Sequence, residues 1–310
     1  MPVEKRGNQF YNHCMLPMRL IPTVLIFSLL LGCVQTPFTQ RPSEDRMPVA
    51  QEIALGEEAY REIIKREKIS QDPQLIEMVE RVGRQLAAVS AMPNLSWEFT
   101  LIESNQKNIF VLPGGKVAVY TGILPLCANE AGLAAVMSHQ IAHTTAGHGV
   151  NRLSPHIAKE GAATPAGLSH SRDKNAILAA LGAHTAEEFV WPYDPRHESA
   201  ADEIGMNLMA KAGYDPMEAE RLWGRFNKMK KGSRVPEILS THPIDPARLG
   251  AIRRLLPKAN RVYRMNPLKH GLGRSFLYIL SRRKMQKKPV MPAPPSGIAV
   301  PGTGLKDRNP

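Results

Sequence analysis

Within this 310-residue chain, the densest chemistry lies in Ser138-His139-Gln140-Ile141-Ala142-His143. Helical residues four apart sit one turn apart on the same face, so His139 and His143 project together. Two imidazoles so placed can grip one divalent ion. In the H-E-x-x-H pattern of hydrolytic zinc sites, the residue after the first histidine is a glutamate that acts as general base. Here that residue is Gln140. Because H-x-x-x-H by itself arises by chance, the reading needs a third ligand.

Glu198-Ser199-Ala200-Ala201-Asp202 supplies one. Both acids share a helical face, as they also would on an ordinary solvated helix. One carboxylate completes a two-histidine, one-carboxylate zinc site with an open fourth position. The other can accept the remaining N–H of a ligating histidine and fix its tautomer. His148 lies nine residues after His139, on the opposite side of a continuous helix. The spacing that brings a third histidine to zinc elsewhere needs it ten residues on with glycine at seven, where this chain has Gly149 and Ala146. His148 is therefore expected near the site or in a structural role, not as a ligand.

Further segments recur in a recognisable order: Gln51-Glu52-Ile53-Ala54-Leu55-Gly56, NIFVLPGG over 108–115, residues 129–148 and 198–205, Ala212-Gly213-Tyr214-Asp215-Pro216, and Ser240-Thr241-His242-Pro243. Together they resemble the HtpX/Oma-like zinc metallopeptidase family, whose wider relatives include the CAAX prenyl protease. The resemblance covers residues 51–257. It implies a gluzincin domain in which His139, His143 and Glu198 hold one Zn²⁺ per chain, with Asp202 behind them. His242 would approach the site and stabilise the oxyanion of a tetrahedral intermediate. The strand running into Pro113, Gly114 and Gly115 would offer an edge to an extended polypeptide substrate. His242 also reads as a loop residue before proline, and the glycine pair as a turn.

Two departures stand out: Gln140 in place of the glutamate, and Gly147 in place of the usual arginine before His148. A catalytic carboxylate takes a proton from the attacking water and returns it to the leaving amine. An amide can hold that water but cannot take up its proton near neutral pH. Glu130, ten residues earlier, lies about 15 Å away along the helix and cannot stand in. Two readings follow. One is a zinc metalloendopeptidase with impaired hydrolysis. The other is a catalytically silent pseudoprotease that binds peptides as an adaptor or chaperone.

These side chains must be positioned by a surrounding scaffold. Apolar residues at helical spacing predict two helices over 50–92, broken at Ser70-Gln71-Asp72-Pro73. A strand over 97–102 and a hairpin of 109–112 with 117–120 about the glycine turn follow. Helices are predicted over 130–147, 176–189, 196–212 and 215–228. A short one begins at Asp245-Pro246, as N-cap and first-turn proline, and runs to Leu256. The fold class is α+β: mostly helical, with a small antiparallel sheet beside the helix that carries His139.

The apolar run 20–31, followed by Gly32-Cys33, is too short to span a bilayer and reads as a signal-peptide core. Gly-Cys at its end resembles a lipobox, with Cys33 lipidated; an ordinary secretory signal is the other reading. The expected organisation is a signal peptide over 1–32 (or from Met18), a linker over 33–48, a metallopeptidase-like domain over 49–266, and a basic Pro-rich tail without regular structure over 267–310. The expected location is the bacterial cell envelope, facing the periplasm. Val34 after Cys33 favours the outer membrane.

Net charge is +12, but residues 281–310 alone carry seven Lys/Arg against the single Asp307. That is half the excess, in a tail that can touch an anionic surface. No nucleic-acid-reading motif accompanies the charge, so no nucleic-acid partner is expected. Three cysteines, two of them in the leader, make no disulfide framework.

Overall fold

The computed structural model describes residues 49–149, 192–229, 235–272 and 275–276, all within one compact unit, Arg41–Pro310. The leader, the linker, the helix expected over 176–189 and most of the tail lie outside the described residues. Among the described residues, no helix is long and apolar enough to cross a membrane.

The described residues begin with α1 (Val49–Ile64) and α2 (Pro73–Ala88), separated where Asp72-Pro73 predicted a break. Asp72 caps α2, its carboxylate accepting from the amides of Gln74 and Leu75, and Pro73 occupies the first turn, where no N–H is needed. Strands β1 (Glu98–Ile102), β2 (Ile109–Leu112) and β3 (Lys116–Tyr120) follow. Next come a 3-10 turn over Thr121–Ile123 and the short α3 (Leu124–Cys127). Helices α4 (Glu130–Thr145), α5 (Pro195–Lys211), α6 (Met217–Met229), α7 (Ile238–Thr241) and α8 (Pro246–Met265) follow among the described residues. The architecture is α+β and mostly helical.

The sheet corrects one detail of the sequence reading. Its order is β1-β3-β2, and it is mixed rather than wholly antiparallel. β2 and β3 form the predicted antiparallel hairpin, but β1 pairs parallel to β3, Glu98 opposite Lys116 through Ile102 opposite Tyr120. The connection over 103–108 lands β2 one strand away from β1, and β3 fills the gap on its return. Gly114 and Gly115 both have positive φ, +84° and +80°, a backbone that L side chains rarely adopt, so the turn requires this glycine pair.

α4 lies at the centre. Fourteen of its sixteen residues are buried, with Leu133, Val136, Met137 and Ile141 fully so. An all-round apolar helix is a core helix, and each such side chain stabilises the fold by about 1.5–3 kcal/mol. Asn129 starts it, its side chain accepting from the amide of Gly132 at 2.8 Å. α5 packs along α4, and α8 along α5. A Cβ at Gly205 on α5 would sit 2.9 Å from the backbone nitrogen of His139, so only glycine lets the two helices approach this closely.

The predicted start of α8 holds: Asp245 accepts from the amide of Arg248 at 2.7 Å, and Pro246 lies in the first turn. Its predicted end at Leu256 does not hold, because α8 continues past Pro257 to Met265. Proline removes one helical hydrogen bond. Pro257 and Arg253, whose carbonyl loses its donor, are both exposed, so water can serve that group. Beyond α8 the chain returns to the core through Phe276, which is fully buried and whose amide donates to the carbonyl of Ala128.

Candidate metal centre

The folded helices bring four side chains to one point. His139 and His143 come from the middle of α4, Glu198 from the first turn of α5, and His242 from the end of α7. One ligand atom from each lies within 4.8 Å of all the others, and all four residues are buried. His139 Nε2 and His143 Nε2 are 3.1 Å apart. Glu198 reaches them at 3.1 Å from His143 Nε2 and 3.5 Å from His139 Nε2. His242 Nδ1 lies 3.2 Å from His139 Nε2 and 2.8 Å from Glu198 Oε1.

These separations test whether the residues fit an ion. Four ligands at about 2.0–2.1 Å around tetrahedral zinc sit roughly 3.3 Å from one another. The separations given above bracket that value, and imidazole nitrogens with a carboxylate are the ligands zinc takes. The set fits one Zn²⁺.

Groups outside the set prepare the histidines. His139 turns Nδ1 toward Asp202 Oδ1 at 3.0 Å. His143 turns Nδ1 toward His148 Nδ1 at 3.1 Å. With their protons on Nδ1, facing Asp202 and His148, both rings present Nε2 lone pairs to the same point. His148 is buried and stacks on His197 with centroids 4.2 Å apart. Burial, and then His197, hold its pKa down to about 3, so it stays neutral and accepts the proton of His143 Nδ1. Removing that acceptor, as in His148→Ala, lowers zinc affinity by about 10–100-fold, read by competition with a chelator. His148→Asn, whose carbonyl can take the same hydrogen bond, recovers most of it. Equal affinity in all three forms would show that His148 only fills space.

Arg248, from the first turn of α8, ties the acidic side together. Its Nε and Nη2 donate to Asp202 Oδ2 and Oδ1, each at 2.8 Å. Its Nη1 donates to the carbonyl of Pro243 at 2.7 Å and contacts Glu198 Oε2, and the guanidinium lies 4.3 Å over the Trp223 ring. Burial pushes the Glu198 carboxyl up, but His242, His139 and Arg248 outweigh it and hold it well below the usual range. Burial likewise raises Asp202, and Arg248 and His139 bring it below its ordinary value.

Gln140 is buried between the two helix histidines, its Nε2 2.9 Å from His242 Nε2. An amide nitrogen donates, so His242 accepts on Nε2 and carries its proton on Nδ1, aimed at Glu198 Oε1. A glutamate can only accept there and would impose the opposite tautomer. Burial holds His242 down to about 4, against the pull of Glu198.

The residues singled out in the sequence therefore divide. His139, His143 and Glu198 meet as expected, with Asp202 behind His139. His242, expected only to approach, comes within 4.8 Å of the other three donors, and with its proton on Nδ1 it stands beside the ion's open position rather than filling it. Pro113 and Gly114 line a cleft of about 60 Å³ with Ile53, Val111, Tyr193 and His143, and Gly115 completes the turn. Arg248 escaped the sequence reading although a signal existed. A cation in the first turn of a helix opposes the macrodipole, so something else must hold it.

Residues 73–256 match peptidase family M48. The chain belongs to that family. It is 34% identical over 212 residues to the mitochondrial metalloendopeptidase OMA1 of Schizosaccharomyces pombe, covering 66% of this chain and 61% of that protein. It is 33% identical over 187 residues to the Saccharomyces cerevisiae protein of the same name, covering 56% and 51%. Against the beta-barrel assembly-enhancing protease of Escherichia coli it is 26% identical over 263 residues, covering 79% and 52%. These matches span about half to three-fifths of the relatives' own lengths. M48 enzymes are zinc metallopeptidases, and this member's cluster is able to hold one such ion.

Proposed function

We propose that this M48 member is a zinc-dependent metalloendopeptidase-type protein of the bacterial cell envelope that engages unfolded or misassembled polypeptides, with hydrolysis impaired by Gln140. The observation that carries the reading is the tetrahedral spacing of His139, His143 and Glu198 beside an apolar cleft. Bound there, Zn²⁺ supplies Lewis-acid polarisation of water and of a peptide carbonyl.

The chain's own groups do the rest. Glu198 is kept ionised by its cationic neighbours, and Asp202 and His148 orient the two imidazoles. Among the described residues β2 pairs only with β3, so its other edge can receive an extended peptide by backbone hydrogen bonding, as its run into Pro113-Gly114-Gly115 suggests. The cleft beside His143, walled by Ile53, Leu95 and Val111, suits an apolar substrate side chain of the kind unfolded chains expose. Gln140 can hold water by a hydrogen bond, yet it takes no proton from it.

One observation favours the second reading, a silent peptide-binding adaptor or chaperone. The Gln140–His242 hydrogen bond occupies the place where a proton-shuttling carboxylate would stand. The envelope location, the lipid anchor at Cys33 with a preference for the outer membrane, the anionic contact of the basic tail and the division at 32, 48 and 266 belong to the same proposal.

Metal analysis of the purified protein is expected to give zinc near one equivalent per chain, and of His143→Ala almost none. Zinc retained in that variant would remove the ligand assignment and the functional reading with it. Incubated with casein, zinc-loaded protein forms a complex with it, whether or not it cleaves it. Failure to bind or cleave would remove the polypeptide-substrate reading.

A further inference from the structure

Large apolar side chains stand exposed at few places among the described residues, and three of them cluster where α8 ends: Met265 at 80%, Leu268 at 60% and Leu272 at 68%. A basic stripe leads to them. Arg254, Lys258, Arg261 and Met265 recur at intervals of four, three and four, one face of α8, with Arg264 beside them. All are exposed, and among the described residues only Lys258 of the four cations has an ion-pair partner, Glu203.

Charge along the chain follows the same division. Residues 246–310 hold fifteen Lys/Arg against the single Asp307, a net of +14, while the whole chain carries only +12. The rest of the chain is thus slightly acidic, and the positive charge begins with α8.

The cluster lies far from the metal donors. Arg248 at the start of α8 touches Glu198 near the start of α5. At the other end, the Asn266 side chain donates to the carbonyl of Lys211 at the end of α5 at 2.7 Å. The two helices therefore run parallel. From Arg248 to Met265 is seventeen residues, about 25 Å of helix. Something bound at the far end leaves the cleft beside His143 open.

We infer that the C-terminal end of α8, with Met265, Leu268 and Leu272 inserted and Arg254, Arg261 and Arg264 above them, docks on an anionic lipid surface. Cations on the last turns of α8 that flank apolar side chains at its end and in the segment just after it match the two layers of a membrane interface, phosphate-bearing headgroups and acyl chains. Three apolar side chains present far less than the roughly 800 Å² per partner that a stable protein interface buries. Nucleic acid would use the cations and leave the apolar side chains unexplained. This sharpens the membrane part of the reading above, requires neither lipidated Cys33 nor the metal, and would hold the metal centre about 25 Å from the surface.

The test uses the full chain with Cys33→Ser, so that the apolar run 20–31 and the tail are common to every arm. Binding is measured by co-sedimentation with vesicles of phosphatidylcholine alone and of phosphatidylcholine containing a third phosphatidylglycerol. The protein prefers the anionic vesicles. The triple change Arg254→Gln, Arg261→Gln and Arg264→Gln weakens that preference by about a hundredfold, each cation being worth roughly fivefold. Met265→Ser, Leu268→Ser and Leu272→Ser together weaken the binding that survives high salt. Both variants keep the parent's zinc content, which separates this outcome from misfolding and from failure of the metal reading. Equal binding to the two vesicle types, or wild-type binding by both variants, would overturn the inference. So would sedimentation showing a dimer that both variants abolish, because the occupant would then be a second copy of the chain.

Discussion

Replacing Gln140 with glutamate raises the rate at which the zinc-loaded protein cleaves casein by about 10²–10⁴-fold, the usual contribution of a general base. The two side chains are nearly isosteric, so the buried site between His139 and His143 accepts the change without moving α4. What changes is the chemistry. A carboxylate at 140 can take a proton and hand it on, whereas the amide only donates to His242 Nε2 at 2.9 Å. Among the described residues no neighbouring acid already fills the role. Glu130 is paired with Arg81 at 2.7 Å and lies about 15 Å away along α4. Glu198 and Asp202 are committed to the histidines and Arg248. Equal zinc content in both forms is the control. Comparable rates in wild type and Gln140→Glu would show that the missing carboxylate does not limit turnover, and the impaired reading would fall.

The second large effect is on stability. Arg248→Leu destabilises the metal-free protein by about 3–5 kcal/mol, the cost of removing one partner from a buried ion pair. Arg248 serves two buried carboxylates, Asp202 through a two-pronged contact and Glu198 through Nη1. It also covers the Trp223 face. Without it, burial drives both carboxyls upward with less to oppose it. Arg248→Lys recovers only part of the loss, because one ammonium cannot match the planar fork that meets both oxygens of Asp202. Urea unfolding in the presence of a chelator reads the difference. Added zinc narrows it, since positive charge beside Glu198 is restored. A metal-free Arg248→Leu protein within about 1 kcal/mol of wild type would show that the carboxylates find another way to be satisfied.

Much of the scaffold is written in local pattern. The break at Asp72-Pro73 and the start at Asp245-Pro246 each follow from the behaviour of a few adjacent residues, and both stand in the fold. So does the pairing of His139 with His143, because a helix carries residues four apart to the same side. Where the reading strayed, a distant neighbour decided. β1 runs parallel to β3 because β2 landed one strand away. α8 outruns Pro257 because the orphaned carbonyl of Arg253 lies on its wet side.

From sequence alone, then, came the ligand types, the face that each helix offers, the absent glutamate and the membership of the fold class. Only tertiary structure decided that His242 comes up against the other donors, that His148 backs His143, and that Arg248 spans both acids. The division has a physical cause. Spacing along a chain determines which groups share a side, through the fixed geometry of the helix. Which charge neutralises which, across forty or a hundred residues, depends on how closely two helices can approach, and here a single glycine at 205 permits the contact.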